Sequence, residues 1–141
     1  MGGVRDSNGG DRYLRFQQST GRSISVKFLI ILNDPPYGTE RPYNGLRLAL
    51  SLRKREGSET RVFLMADAVG CAKSGQKTPN GYYNLERMLK SLIAANVPIG
   101  VCGSCIDARG VTEADLLEGV HRSSMEELTD WTVWADKVVV F

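Results

Sequence analysis

Two cysteines, Cys102 and Cys105, are separated in the sequence by only two small residues, Gly103 and Ser104. They follow residues 97–101, an apolar run rich in β-branched residues that is typical of a buried strand. A thiol at the carboxyl end of a parallel strand lies where open α/β sheets bind their ligands. A thiolate is a strong nucleophile, and its pKa falls near cations and helix amino termini. The sequence therefore predicts that Cys102 attacks a substrate or carries sulfur as a persulfide, rather than serving as a small buried apolar residue.

The role of Cys105 is left open by the sequence. It could be the resolving partner of a thioredoxin-like dithiol, a helper of Cys102, or a residue without a role. Redox C-x-x-C motifs normally begin a helix, whereas Gly110 and Thr112 predict that the next helix starts later. A metal site needs more ligands than one cysteine pair, and the sequence contains a single histidine, His121. We therefore predict no metal, and no cofactor.

Three loops rich in turn-forming or chemically reactive residues follow the first three predicted strands. Because the carboxyl ends of parallel strands lie at one edge of a sheet, these loops are expected to converge on the cysteines. Cationic side chains near Cys102 would stabilise its thiolate, and small or aromatic residues would shape a pocket. The supporting residues predicted from these loops are Tyr37, Gly38, Asp67, Lys77, Gly103, Ser104 and Arg109, with Lys73 as a further cation and Cys71 as equally consistent with a role and with none.

Strand and helix patterns alternate along the chain. Strands are predicted at 25–32, 60–66, 97–101 and 137–141. Helices are predicted at 40–56, from 85 to about 95, around Leu116 and Leu117 after a Thr112–Asp115 capping box, and from a Ser124 cap to about 135. This alternation predicts an α/β fold with a mainly parallel sheet and helices on both faces.

Length and charge limit the classes of protein that need be considered. The 141 residues fit one domain, which we place at 23–141 after a flexible leader at 1–22. The leader carries four arginines and two aspartates, so the rest has 14 basic and 14 acidic residues and is neutral. A neutral domain lacks the excess of positive charge that binds nucleic acid or an anionic membrane. The chain also lacks a signal-peptide or membrane-spanning apolar run, so we predict a cytoplasmic protein without nucleic-acid or membrane partners.

Several stretches, taken in order, resemble the DsrE/DsrF-like sulfur-relay family, and most closely its small YchN-type members. The resemblance extends from the first strand to Phe141. It rests on residues 33–40 (NDPPYGTE), 66–69 (ADAV), 75–77 (GQK), 81–84 (GYYN), 96–99 (NVPI), 102–110 (CGSCIDARG) and 131–141 (WTVWADKVVVF).

The resemblance implies a flavodoxin-like, three-layer α/β/α sandwich that assembles into homotrimers or homohexamers. It also implies a cysteine that accepts sulfane sulfur from a donor protein and passes it to an acceptor protein, at the position matched by Cys102. Cys105 resembles the additional cysteine of the YchN-type members, whereas Cys71 matches no transfer position of the family.

Three functions remain to be compared. The first is a sulfur carrier or sulfurtransferase that holds sulfur as a persulfide on Cys102. The second is a dithiol redox protein that uses Cys102 and Cys105. The third is a non-catalytic oligomeric module that binds a small ligand and whose cysteines are inert.

Overall fold

A computed structural model describes residues 24–141. The predicted leader lies outside the described residues, so the boundary between leader and domain stays a prediction. The described part contains strands β1 (Val26–Leu32), β2 (Ser58–Leu64), β3 (Ile99–Cys102), β4 (His121–Ser123) and β5 (Lys137–Val140). Its α-helices are α1 (Arg41–Leu52), α2 (Leu85–Ala94), α3 (Gly103–Ala108) and α4 (Met125–Trp134), and its 3-10 helices are Ala66–Ala72 and Glu113–Asp115.

Within residues 24–141 the five strands form one sheet in the order β4-β3-β2-β1-β5, and every pair of neighbours is parallel. The near-continuous apolar run of β1 is buried on both faces of this sheet, as expected for a central parallel strand. Leu46 of α1 and Leu89 of α2 belong to the core on one face. Leu128 and Trp131 of α4 belong to a smaller core on the other face. The predicted three-layer α/β/α class is thereby confirmed.

Several predicted boundaries are wrong by a few residues, and two local predictions fail. Helix α1 ends at Leu52 rather than Glu56, and β2 begins at Ser58 rather than Thr60. The capping box of Thr112 and Asp115 forms, but it opens only one 3-10 turn, so Leu116 and Leu117 are not helical. The predicted loop after β2 begins with the 3-10 helix Ala66–Ala72, whose short turns have no apolar periodicity to reveal them.

The largest correction concerns the start of the helix that follows β3. Cys102 is the N-cap residue of α3, which begins at Gly103, well before the predicted start near Thr112. The C-x-x-C motif therefore begins a helix, and the sequence argument against a dithiol was wrong on this point. Cys105 then occupies the third helical position, which faces the N-cap residue.

Gly45 lets helix α1 pack closely on the sheet. A Cβ atom at this position would lie 2.4 Å from Leu32 Cδ2 and 3.2 Å from the ring of Phe141. Leu32 is fully buried and cannot move away freely. We expect Gly45→Ala to lower the free energy of unfolding by about 1–2 kcal/mol, because overpacking outweighs the gain in helix propensity. Urea unfolding beside the exposed-site control Ser51→Ala would measure this, and an unchanged midpoint would contradict the prediction.

Candidate thiol site at the carboxyl edge of the sheet

Cys102 ends β3 and caps α3, and its side chain is half-buried. The Cys102 Sγ atom lies 3.4 Å from the Ser104 hydroxyl oxygen. Burial opposes ionisation of the Cys102 thiol. Hydrogen bonds from the Cys105 thiol, the Ser104 hydroxyl and the backbone N–H groups of both residues outweigh it, so the pKa of Cys102 falls below its ordinary value. The local structure therefore favours a thiolate at Cys102.

Cys105 is also half-buried but has the opposite electrostatic character. Burial, the hydrogen bond with Cys102 and the charge of Cys102 raise the pKa of Cys105 above its ordinary value. The backbone N–H of Ala66, the first residue of the 3-10 helix that follows β2, donates to Cys105 Sγ at 3.2 Å. Ala66 has a φ of 51°, a left-handed conformation that is strained for a residue other than glycine. The two thiols thus form an asymmetric pair, with Cys102 the more readily ionised member.

Arg109 and Asp67 lie on the Cys105 side of this pair. The guanidinium group donates from Nε and Nη2 to Asp67 Oδ1 at 3.0 and 2.9 Å, and from Nη1 to the Cys105 carbonyl at 3.1 Å. The charge of Arg109 lowers the pKa of Cys105, although this effect is smaller than that of burial. These contacts join the loops that follow β2 and β3, as the sequence predicted. They place Arg109 beside Cys105 and not as the direct partner of Cys102.

Arg122 on β4 is a cation of the site that the sequence analysis missed. Its guanidinium pairs with Asp107 through two hydrogen bonds of 2.8 Å and lies over Gly103, where a Cβ atom would come within 2.8 Å of it. The pKa of Arg122 is raised, mainly by Asp107 and to a smaller extent by the charge of Cys102. A short polar strand has no apolar alternation, so β4 gave no sequence signal. Gly103 is therefore important because it leaves room for this guanidinium.

Other predicted residues lie away from the two thiols. The Tyr37 hydroxyl donates to Gln76 Oε1 at 2.6 Å and accepts from Leu85 N–H at 3.3 Å. Gly38 has a φ of 101°, and no atom lies near the position of its missing Cβ. Lys77 lines a separate cleft of about 210 Å³. The loop after β1 thus supports the loop after β2, which in turn contacts Cys105.

Three further residues considered in the sequence analysis make contacts that hold the fold together rather than contacts with Cys102. Cys71 is fully buried, and burial raises its pKa to about 12, so it stays a neutral thiol at physiological pH. His121 pairs with Glu127, which also accepts from the Ser123 hydroxyl at 2.6 Å. These bonds fasten α4 to β4. Lys73 forms an antiparallel bridge with Leu116, so it too connects segments of the fold.

No group of three His, Cys, Asp or Glu side chains within residues 24–141 is arranged to hold a metal ion. No helix within the same range is long and apolar enough to cross a bilayer.

A parallel α/β/α sandwich with an asymmetric cysteine pair at the carboxyl edge of its sheet defines a thiol protein of the α/β class. The profile of the DsrE/DsrF-like family matches residues 26–141. The chain belongs to this family.

Relatives and a solved structure support the assignment. The chain is 45% identical to Protein YchN of Escherichia coli (strain K12) over 116 residues, which cover 82% of this chain and 98% of YchN. The crystal structure of the E. coli ychN protein superposes with a TM-score of 0.77 at 44% identity, covering 82% of this chain and 99% of the other. The Sulfurtransferase TusD homolog of Haemophilus influenzae is 24% identical over 124 residues, covering 81% of this chain and 98% of that protein.

Proposed function

We propose that this protein is a sulfur carrier that holds sulfane sulfur as a persulfide on Cys102 and passes it to an acceptor protein. The observation that carries the proposal is the position of Cys102 at the start of α3, with its Sγ 3.4 Å from the Ser104 hydroxyl oxygen and its pKa lowered. Membership in the DsrE/DsrF-like family and the likeness to a protein named as a sulfurtransferase support sulfur transfer as the class of reaction.

The transfer step follows from the chemistry of a thiolate. Cys102 Sγ attacks the outer sulfur of a persulfide donor, and the donor's S–S bond breaks as its thiolate leaves. The new bond joins Cys102 Sγ to the sulfane sulfur, whose proton passes to the departing donor thiolate, so that the negative charge ends on the Cys102 persulfide. The Ser104 hydroxyl and the N–H groups of Ser104 and Cys105 are the nearest donors to stabilise that charge, with Arg122 on the side of Gly103. An acceptor thiolate that attacks the outer sulfur regenerates Cys102.

The proposal also includes a cytoplasmic location, partner proteins as sulfur donor and acceptor, and self-association as a homotrimer or homohexamer. Exposed apolar side chains on α4 and β5 support self-association. Val133 is 82% exposed and Val140 is 60% exposed, so covering them with a second copy of the chain would remove apolar surface from water.

Intact-mass spectrometry soon after mixing with inorganic polysulfide tests the carrier proposal. The wild-type chain and Cys105→Ser are expected to gain one sulfur atom that reductant removes, whereas Cys102→Ser is expected to gain none. Cys71→Ala is the matched control. It should gain sulfur as the wild-type chain does, because the buried Cys71 thiol should not take up sulfur. Equal uptake by Cys102→Ser would overturn the proposal.

A dithiol redox protein is the second candidate, because Cys102 is the N-cap residue of α3 and Cys105 is the third residue of the same helix. This function predicts a reversible disulfide that forms with a disulfide oxidant and without added sulfur. Its activity would be lost with either serine variant, whereas sulfur uptake should survive Cys105→Ser. Sulfur uptake by Cys105→Ser therefore separates the two functions.

A further inference from the structure

We propose that Cys105 attacks the inner sulfur of the Cys102 persulfide and releases the outer sulfur as hydrosulfide. The protein would then have two outputs: transfer of sulfur to an acceptor, and reduction of sulfane sulfur to sulfide. This inference rests on the proposed function, since it requires a persulfide on Cys102.

The positions of the two cysteines in the first turn of α3 are the first observation. Cys102 is the N-cap residue and Cys105 the third helical residue, positions whose side chains face each other. Each thiol contributes to the pKa shift of the other, so Cys105 Sγ lies close to Cys102 Sγ. When Cys102 carries a persulfide, Cys102 Sγ is the inner sulfur of the S–S bond. Cys105 therefore faces the atom whose attack expels the outer sulfur.

A second, independent observation concerns the opposite side of Cys105. The Ala66 N–H donates to Cys105 Sγ at 3.2 Å, from a residue held in the left-handed region at φ 51°. Arg109, hydrogen-bonded to the Cys105 carbonyl, adds positive charge nearby. Both groups stabilise a negative charge on Cys105 Sγ, which is the attacking atom. Backbone strain of the kind found at Ala66 clusters at functional sites, where the surrounding structure holds it in place.

The step balances without an added oxidant. Cys105 loses its proton, and its sulfur forms a bond to Cys102 Sγ. The bond between Cys102 Sγ and the outer sulfur breaks, and that sulfur leaves with the bonding pair and takes up the proton as sulfide. The two cysteines are oxidised to a disulfide while the sulfane sulfur is reduced. A second turnover requires a dithiol reductant to reopen the disulfide.

An anaerobic single-turnover experiment tests the inference. Purified wild-type, Cys105→Ser and Cys71→Ala chains are treated with inorganic polysulfide and desalted. Their intact masses and the dissolved sulfide are then followed over time and as a function of pH. The wild-type chain and Cys71→Ala are expected to lose the added sulfur, lose two hydrogens, and release an equivalent amount of sulfide. Release should accelerate as pH rises, because Cys105 must ionise to attack.

Cys105→Ser is expected to keep the added sulfur and to release no sulfide. If the wild-type chain retains sulfur as long as Cys105→Ser does, the inference is overturned while the carrier function stands. If Cys105→Ser is folded by circular dichroism but takes up no sulfur, the carrier function fails, and this inference with it. Cys105→Ala provides a second test should the serine variant not fold.

Discussion

Removing both side-chain donors to Cys102, in the double variant Ser104→Ala/Cys105→Ala, is expected to slow alkylation of Cys102 at neutral pH on the order of tenfold. A hydrogen bond to a charged group contributes about 1.5–3 kcal/mol, so losing such bonds shifts the ionisation of Cys102 strongly towards the thiol. The thiolate that remains is intrinsically more nucleophilic as its pKa rises, which offsets roughly half of the effect on the logarithm of the rate. The backbone N–H groups remain in the variant and keep part of the stabilisation.

The measurement is the rate of iodoacetamide modification at Cys102, followed by peptide mass spectrometry from acidic to alkaline pH. The wild-type pH profile should have its midpoint below that of a free thiol, since the pKa of Cys102 is lowered. In the double variant the midpoint should move to higher pH. Cys71→Ala serves as a control that leaves these bonds intact. Identical midpoints for the wild-type chain and the double variant would show that the side-chain donors do not stabilise the thiolate.

The elements with dense periodic patterns could be predicted from the sequence. The apolar run of β1 and the stripe of α2 are both found close to their predicted positions, because burial on the two faces of β1 and on one face of α2 requires these patterns. Cys102 was correctly placed at the end of a strand for the same reason, since the run before it is buried. Burial in the core therefore produces apolar patterns that can be recognised in the local sequence.

The local geometry of the thiol site could not be predicted in the same way. Gly103 and Ser104 are poor helix formers, yet α3 begins at Gly103, with the guanidinium of Arg122 lying over that residue. Arg122 reaches the site from β4, a strand of three polar residues. The donation of Ala66 N–H to Cys105 depends on the backbone conformation of another loop. Such contacts are set by tertiary packing and leave no spacing rule in the sequence.

The network around Gln76 explains why the long segment after β2 is ordered. The Gln76 side chain donates to the carbonyl groups of Cys71 and Lys73 at 2.8 and 2.9 Å and accepts from Tyr37. Its backbone N–H donates to the Glu86 carboxylate at 2.7 Å. Glu86 is only 7% exposed and pairs with Lys90 at 2.8 Å. The carboxylate therefore joins the loop after β2 to the first turn of α2, and its loss should affect both segments.

Glu86→Ala is expected to lower the free energy of unfolding by about 1–3 kcal/mol, because it leaves the half-buried N–H of Gln76 without its charged acceptor. The contribution of the Glu86 carboxylate to the stability of the fold decreases as the pH falls. The hydrogen bond and charge of Lys90, together with the N–H groups of Gln76 and Gly75, outweigh burial and lower the pKa of Glu86. A carboxylate whose folded-state pKa is lowered stabilises the protein above its unfolded pKa, and this stabilisation is lost as pH falls through the folded value. The difference in the free energy of unfolding between the wild-type chain and Glu86→Gln should therefore become smaller as the pH falls.

Urea unfolding at neutral and acidic pH checks this prediction, with Glu118→Gln as the matched exposed control. Glu118→Gln should change the midpoint little at either pH, since an exposed carboxylate contributes little to stability. A second readout is local: release of the Gln76 loop should expose Cys71, whose alkylation in the folded Glu86→Ala chain should exceed that of the wild type. If Glu86→Ala unfolds at the wild-type urea concentration and Cys71 stays unreactive, the loop is held by its apolar contacts. The Glu86 network would then contribute little to the order of the segment that supplies Ala66 and Asp67 to the thiol site.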